Sequence, residues 1–301
     1  MDSSLLLPQA SNVAIPATDS LKTVAHRGYS ALAPENTLSA FNKAFETGCS
    51  FIEGDFWLTK DGKIVAIHDP FTNRVCKDSN LWIEDCTLEQ LKQLDVGSWF
   101  DESFAGESIP ELSEVLEIVP EDKGIFIEIK CDKKIVPALK QYLENSKLRM
   151  DQQIIIAFDP EVIREVKKQI PQAKTLWVVW WFLDEETNQP SNSIEQILHV
   201  AKSIGTDGID INKTPWLTQQ VVAKIRQQGL ELHVFTVDEL TDAIRCLALG
   251  VDTITTNRPQ ALRQEVANYL QPPMGTSRVD ESLTVYEDGS WEFLPYRPDA
   301  F

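Results

Sequence analysis

The chain has 301 residues, 43% of them hydrophobic and 25% charged, the balance of an ordinary globular protein with a sizeable core. Lys and Arg total 28 against 46 Asp and Glu, a formal charge of -18, which excludes a nucleic-acid partner and disfavours anionic membranes. The N-terminal MDSSLLLPQASNVAIPATDS has no basic leader, no later apolar run reaches spanning length, and the five cysteines show no C-x-x-C pair, so a cytoplasmic protein with reduced thiols and no integral membrane association is expected.

Eight apolar, β-branched stretches follow one another along the chain, with helix signals between them. The first four are LKTVAHRG (21–28), FIEGDFWL (51–58), GIFIEIK (124–130) and QIIIAFD (153–159). The second four are KTLWVVWW (174–181), GTDGIDIN (205–212), LELHVFTVD (230–238) and VDTITTN (251–257). Asn36-Thr37 reads as the cap of a helix whose apolar face is Leu38, Phe41, Ala44 and Phe45, with Gly48 closing it. Asp159-Pro160 offers an N-cap and a first-turn proline, Ser193-x-x-Gln196 a capping box, and Thr218 and Asp238 further N-caps.

Eight strands alternating with helices predict a parallel sheet closed as a (β/α)8 TIM barrel over 21–270. A doubly wound sheet is the alternative, but no G-x-G-x-x-G follows the first strand. The stretch 70–110 is too long for a plain loop and reads as a small inserted lobe after strand two, with a short helix near Thr87–Asp95. Residues 271–301 read as a C-terminal extension, with a β-hairpin turning at Asp288-Gly289 and Tyr286, Trp291 and Phe293 on one face.

The stretch FIEGDFWLTKDGKIVAIHD (51–69) puts two carboxylates inside an apolar strand. Period-two geometry aims Glu53 and Asp55 at one face, and burying them bare costs several kcal/mol or forces protonation. A cation between them resolves that cost. The Asp61-Gly62 turn returns the chain, so that His68 comes back beside the pair. In a (β/α)8 barrel chemistry sits at the carboxyl ends of the strands. His26 and Arg27 end strand one, Glu53 and Asp55 strand two, and Glu128 and Lys130 strand three. Each has a bland alternative: a structural histidine, a simple Glu128–Lys130 ion pair, an arginine paired with any acid. Their convergence on three adjacent strand ends favours a site. Three carboxylates without a soft ligand suit Mg²⁺ or Ca²⁺, two histidines suit an acid and a base, and Arg27 and Lys130 suit an anionic oxygen pair. Together they describe phosphoester cleavage. His199 and His233 read as structural.

These residues carry a resemblance. VAHRGYSALAPENTLSAFNKAFETGCSFIEGDFWLTKDGKIVAIHD, FIEIK, HVFTVDE and GVDTITTNRP closely resemble the glycerophosphodiester phosphodiesterase family over about residues 21–262. The resemblance implies a metal-dependent (β/α)8 hydrolase that converts a small-molecule glycerophosphodiester to an alcohol and sn-glycerol 3-phosphate, with roles in lipid and glycerol metabolism. It implies His26 and His68 as the acid–base pair, and Glu53, Asp55 and Glu128 as ligands of one divalent cation. Arg27 and Lys130 fall at the phosphate. It also implies attack by the glycerol 2-hydroxyl, followed by hydrolysis of a cyclic ester. Where the family usually reads WTVN, this chain has Phe235-Thr236-Val237-Asp238, so an indole is lost and an acid gained near the mouth, a departure that bears on leaving-group preference, with Phe235 expected among the substrate-binding residues. The competing readings are a lysophospholipase D-type activity on longer lipids, marked by an apolar rim, and an inactive barrel serving as a binding module.

Overall fold

The computed structural model describes residues 11–13, 22–187, 189–270, 283–285 and 291–292. Its centre is a closed barrel of eight parallel strands: β1 (Thr23–Ala25), β2 (Phe51–Leu58), β3 (Gly124–Ile129), β4 (Gln153–Ala157), β5 (Lys174–Val179), β6 (Gly208–Asn212), β7 (Glu231–Phe235) and β8 (Thr253–Thr256). Each pairs in parallel with the next, and β8 closes on β1 with Thr255 opposite Val24. All eight expected strands are present, trimmed at their ends.

One helix returns after each strand: α1 (Leu38–Glu46), α2 (Leu112–Ile118), α3 (Val136–Asn145), α4 (Pro160–Gln169), α5 (Ile194–Ile204), α6 (Gln219–Gln227), α7 (Leu240–Leu249) and α8 (Pro259–Leu270). Alternation along the strands divides the core in two. On β4, Ile155 and Ala157 face outward and pack with Val162, Ile163 and Val166 of α4. Ile154 and Ile156 face inward and join Val24, Phe126, Leu176 and Val178 in the barrel lumen. The lumen is mainly apolar, with His233 packed against Phe126 and Asp210 buried on β6, and the residues singled out from the sequence stand at the carboxyl ends.

Beyond β2 the chain turns at Gly62 (φ 76°) and returns antiparallel, Leu58 opposite Ile64 and Phe56 opposite Ala66. The stretch 70–110 follows, with short helical turns at Ile83–Asp85, Leu88–Leu91 and Glu102–Phe104. Val75, Ile83, Leu91, Val96 and Ile109 form a small core there against Trp57, Val65 and Ile67 of the hairpin. Thr87 and Gln90 cap each other at the short helix that the sequence placed there.

Two cap assignments change. Thr37 alone caps α1, its hydroxyl accepting from Ala40 N, while Asn36 takes a left-handed φ of 57° and turns toward Asp55. Glu239, not Asp238, is the N-cap of α7. Asp238 is drawn away by the loop after β8. Thr218 and Asp159 cap as expected, and Ser193 makes its capping box.

Leu283–Val285 and Trp291–Glu292 pair antiparallel, as a hairpin there requires. Ser11–Val13 adds a third strand that the sequence did not suggest, Ser11 lying opposite Val285. The turn and the shared aromatic face expected of this extension lie outside the described residues. All five cysteines are free thiols, and no helix among the described residues is long and apolar enough to cross a membrane.

Candidate active site

The loop after β1 is bent by two consecutive left-handed residues, Arg27 (φ 56°) and Gly28 (φ 80°). Only glycine fits the second position, because a Cβ there would lie 2.6 Å from the Ala40 carbonyl carbon. The bend aims the Arg27 backbone N–H at Glu53, donating to Oε2 over 2.8 Å. Glu53, Asp55 and Glu128 are all buried, and each offers an oxygen within 4.8 Å of the others. Asp55 lies directly opposite Glu128 in the β2–β3 register, so the strands themselves bring the two together.

Each carboxylate has a different set of partners. Asp55 accepts from Asn36 Nδ2 at 2.8 Å, and its backbone N–H donates to Asn36 Oδ1 at 3.0 Å. Arg27 Nε stands 3.1 Å from Asp55 Oδ2, close enough to pair but not aligned as a hydrogen bond. Lys130 Nζ donates to Glu128 at 2.7 Å and lies 3.5 Å from Asp55. Glu53 Oε1 has no partner at all. Titration follows this arrangement. Burial, then the charges of Asp55 and Glu128, push Glu53 well above the usual carboxylate range. Burial and Asp55 push Glu128 up to about 7. Asp55 is equally buried, yet Lys130 and Arg27 hold its carboxyl below the usual value. An orphaned buried oxygen facing two more carboxylates is a donor set that a hard divalent cation completes.

The two histidines flank this cage in different settings. His26 Nδ1 is 2.7 Å from Asn257 Oδ1 in the loop after β8, and Asn257 Nδ2 donates to Asp238 Oδ2 at 2.6 Å. Because the Asp238 carboxylate only accepts, the Asn257 oxygen must face the ring, so His26 carries its proton on Nδ1 and leaves Nε2 free. Burial and the Arg27 charge lower the His26 pKa. His68 Nδ1 instead bonds a carboxylate, Asp69 Oδ1, at 2.6 Å. Asp69 is gripped in turn by Arg74, which also forks onto Glu35, itself a partner of Arg27. Burial lowers the His68 pKa as well, opposed first by the Asp55 charge.

All seven polar residues that the sequence singled out therefore converge, and Phe235 stands at the rim, packed edge-on against Phe158 at 6.1 Å. The sequence reading missed the supporting layer. Glu35 and Asp69 lie inside quoted motifs without an assigned task, Asn36 and Asp238 were read only as helix caps, and Asn257 reaches His26 only through closure of β8 onto β1. It also missed Asp210, a buried β6 carboxyl with no hydrogen-bond partner. Burial and the Glu128 charge push Asp210 well up. His233 is structural, as expected: its ring is used by Thr253 at 2.8 Å and Glu231 at 3.1 Å. Glu231, His233 and Asp252 also cluster, but Lys174 and Arg226 neutralise the two acids at 2.7 and 2.6 Å.

A closed parallel barrel with an acidic cage, two cations and two histidines at its carboxyl ends is a (β/α)8 enzyme scaffold with a hydrolytic site. The sequence profile of the glycerophosphoryl diester phosphodiesterase family matches residues 26–261. A glycerophosphodiester phosphodiesterase of Caldanaerobacter subterraneus is 36% identical over 79% of this chain and 95% of its own, and one of Bacillus subtilis 30% over 83% and 88%. Among solved structures, an Oleispira antarctica phosphodiesterase in complex with the product sn-glycerol-3-phosphate superposes with TM-score 0.72 at 26% identity, covering 83% of this chain and 99% of that one. The chain belongs to the glycerophosphoryl diester phosphodiesterase family and is a phosphodiester hydrolase.

Proposed function

We propose that this enzyme hydrolyses glycerophosphodiesters to an alcohol and sn-glycerol 3-phosphate, using one divalent cation, Mg²⁺ or Ca²⁺, and two-histidine acid–base chemistry. The observation that carries the reading is the trio of buried carboxylates with Glu53 Oε1 left unpaired, set between Arg27 and Lys130. Glu53, Asp55 and Glu128 would hold the cation, which supplies Lewis-acid stabilisation of the phosphoryl oxygens. Arg27 and Lys130 supply fixed positive charge to the same oxygens. His26, held by a neutral amide and next to a guanidinium, favours the neutral ring and serves as base toward the attacking hydroxyl. His68, bonded to the Asp69 carboxylate, is supported when charged and serves as acid toward the departing alkoxide.

The test is an assay of released glycerol 3-phosphate from glycerophosphocholine and glycerophosphoethanolamine, with and without added Mg²⁺ or Ca²⁺. Turnover that needs the cation, and that falls about a hundredfold or more in His26→Ala and in His68→Ala, is expected. Full turnover in excess chelator after verified metal removal would refute the metal assignment.

A further inference from the structure

The stretch 70–110 has no task in the site described above, yet one of its side chains reaches into it. Of the described residues only Asp69 bonds the His68 ring, its Oδ1 lying 2.6 Å from Nδ1. A carboxylate only accepts, so His68 carries a proton on Nδ1 and leaves Nε2 free. Trp57 Nε1 donates to His68 O at 3.1 Å, which pins the backbone but leaves the rotation of the ring to Asp69. The other Asp69 oxygen accepts from Arg74 Nε at 2.5 Å. The same guanidinium forks onto Glu35, Nη1 to Oε2 at 2.8 Å and Nη2 to Oε1 at 2.7 Å. Although burial opposes it, Arg74 and then His68 hold the Asp69 carboxyl below its usual range. The Arg74 backbone is itself fixed. Thr72 O accepts from the Val75 and Cys76 N–H groups, and the buried Thr72 hydroxyl pairs with Ser79 Oγ at 2.8 Å and accepts from Leu81 N–H. Val75 then enters the small core beside Ile83 and Leu91.

We infer that Arg74 is a positioning residue for His68: from a fixed point on the inserted stretch it holds Asp69 against Nδ1, so that Nε2 faces the departing oxygen. The inference rests on the acid role of His68 proposed above and names the residue that orients it. Arginine geometry supports it. One planar group serves two carboxylates through three nitrogens, so Asp69 cannot swing without leaving a plane that Glu35 fixes bidentately. Lysine, a point charge, could not hold both acids in one plane. Stability does not account for the arrangement, because the Arg74 side chain is 39% exposed and exposed ion pairs contribute little to folding. The proton transfer is simple. As the phosphorus–oxygen bond to the alcohol breaks, its electron pair stays on that oxygen, which takes the Nε2 proton. The ring is left neutral with Nδ1–H still on Asp69. His26 has taken the proton of the attacking hydroxyl, and exchange with water resets both rings. With Asp69 released, the imidazole rotates and Nε2 loses its aim. The cost then falls on protonation of the leaving oxygen alone, and so scales with the basicity of that oxygen.

The test compares two esters of glycerol 3-phosphate with saturating Mg²⁺ or Ca²⁺. Glycerophosphocholine releases a strongly basic alkoxide that needs a proton, whereas the p-nitrophenyl ester releases a phenolate that does not. Arg74→Met should lower kcat for the first by about ten- to a hundredfold with KM little changed, and for the second by less than about threefold. Its Tm should move by no more than about 3 °C. Arg74→Lys should stay well below wild type on glycerophosphocholine. Full recovery in Arg74→Lys would overturn the assignment, as would equal losses on both esters in Arg74→Met where His68→Ala distinguishes them. If His68→Ala itself loses equally on both esters, the acid reading fails, and coupling decides the role of Arg74. In the His68→Ala background Arg74→Met should then cost less than about threefold more, and an undiminished further loss would overturn the link. If neither ester turns over, proton NMR still decides. The downfield Nδ1 proton of His68, assigned by its absence from His68→Ala, should broaden or vanish in Arg74→Met, and an unchanged resonance would overturn the inference.

Discussion

At the scale of single residues, the site depends on how polar groups constrain one another. Asp238 accepts from Thr256 Oγ1 and the Asn257 N–H, both at 2.8 Å, and from Asn257 Nδ2, so the amide cannot turn over. Asn257 is thereby a positioning residue for His26. Asn257→Ala should lower kcat by about tenfold or more with KM little changed, since a base in the wrong tautomer binds substrate normally but cannot take its proton. Asp238→Ala should approach that loss, and Asp238→Asn should not restore it, because one carbonyl oxygen cannot meet both the Asn257 N–H and Asn257 Nδ2, and its NH2 group lets the Asn257 amide turn over. Steady-state kinetics on the three variants decide the matter: unchanged kcat in Asp238→Ala would show that His26 needs no such hold. Part of this was legible beforehand. Glu53 and Asp55 announce themselves as carboxylates two apart in an apolar run. Asn257 does not, because an asparagine after a strand looks the same whether it caps a turn or faces a ring.

At the scale of elements, the bend after β1 does more than connect a strand to a helix. Gly28 N–H donates to Ala25 and Glu53 carbonyls at 3.1 and 3.2 Å, and Tyr29 N–H to Ala40 O at 2.9 Å, which presses the loop onto α1. Gly28→Ala must accommodate both a left-handed alanine and a methyl inside van der Waals distance of the Ala40 backbone. The two costs sum to about 2–5 kcal/mol. Urea denaturation should show that loss, and the displaced Arg27 should weaken turnover beyond what instability explains. A fully stable, fully active Gly28→Ala would show that the loop has room to relax. The hairpin after β2 is the opposite case. Its turn, its alternation and the return of His68 were all local signals, and Ile67 N–H meets Asp55 O at 2.9 Å where they required.

For the whole molecule, the three buried carboxylates oppose folding as they ionise, and a bound cation would relieve that cost. The folded pKa of Glu128, about 7, lies above that of an unfolded glutamate near about 4.3. Folding thus favours the protonated form. Its stabilising contribution is fully present below the unfolded value and is lost as pH rises through about 7. Glu53, also raised by burial, acts in the same direction. The metal-free protein should melt lower at pH 8 than at pH 6, and saturating Mg²⁺ or Ca²⁺ should raise Tm more at pH 8, where the carboxylates it binds are ionised. Calorimetry at the two pH values measures both effects. A Tm that ignores the cation at pH 8 would contradict the cage.

The sequence by itself determined the eight strands, their helices, the paired carboxylates and the returning histidine. Each is written in short-range periodicity, turn chemistry or two-residue spacing, which local sterics translate directly into geometry. Only the tertiary structure decided that Asn257 faces His26 across 231 positions of sequence, and that Asp238 serves that loop rather than capping α7. It also decided that Ser11–Val13 pairs with Leu283–Val285 and that Phe158, Phe235 and Trp180 meet one another beside Lys130. Closure of β8 onto β1 brings distant segments together, and no local propensity says which polar group will be waiting on the other side.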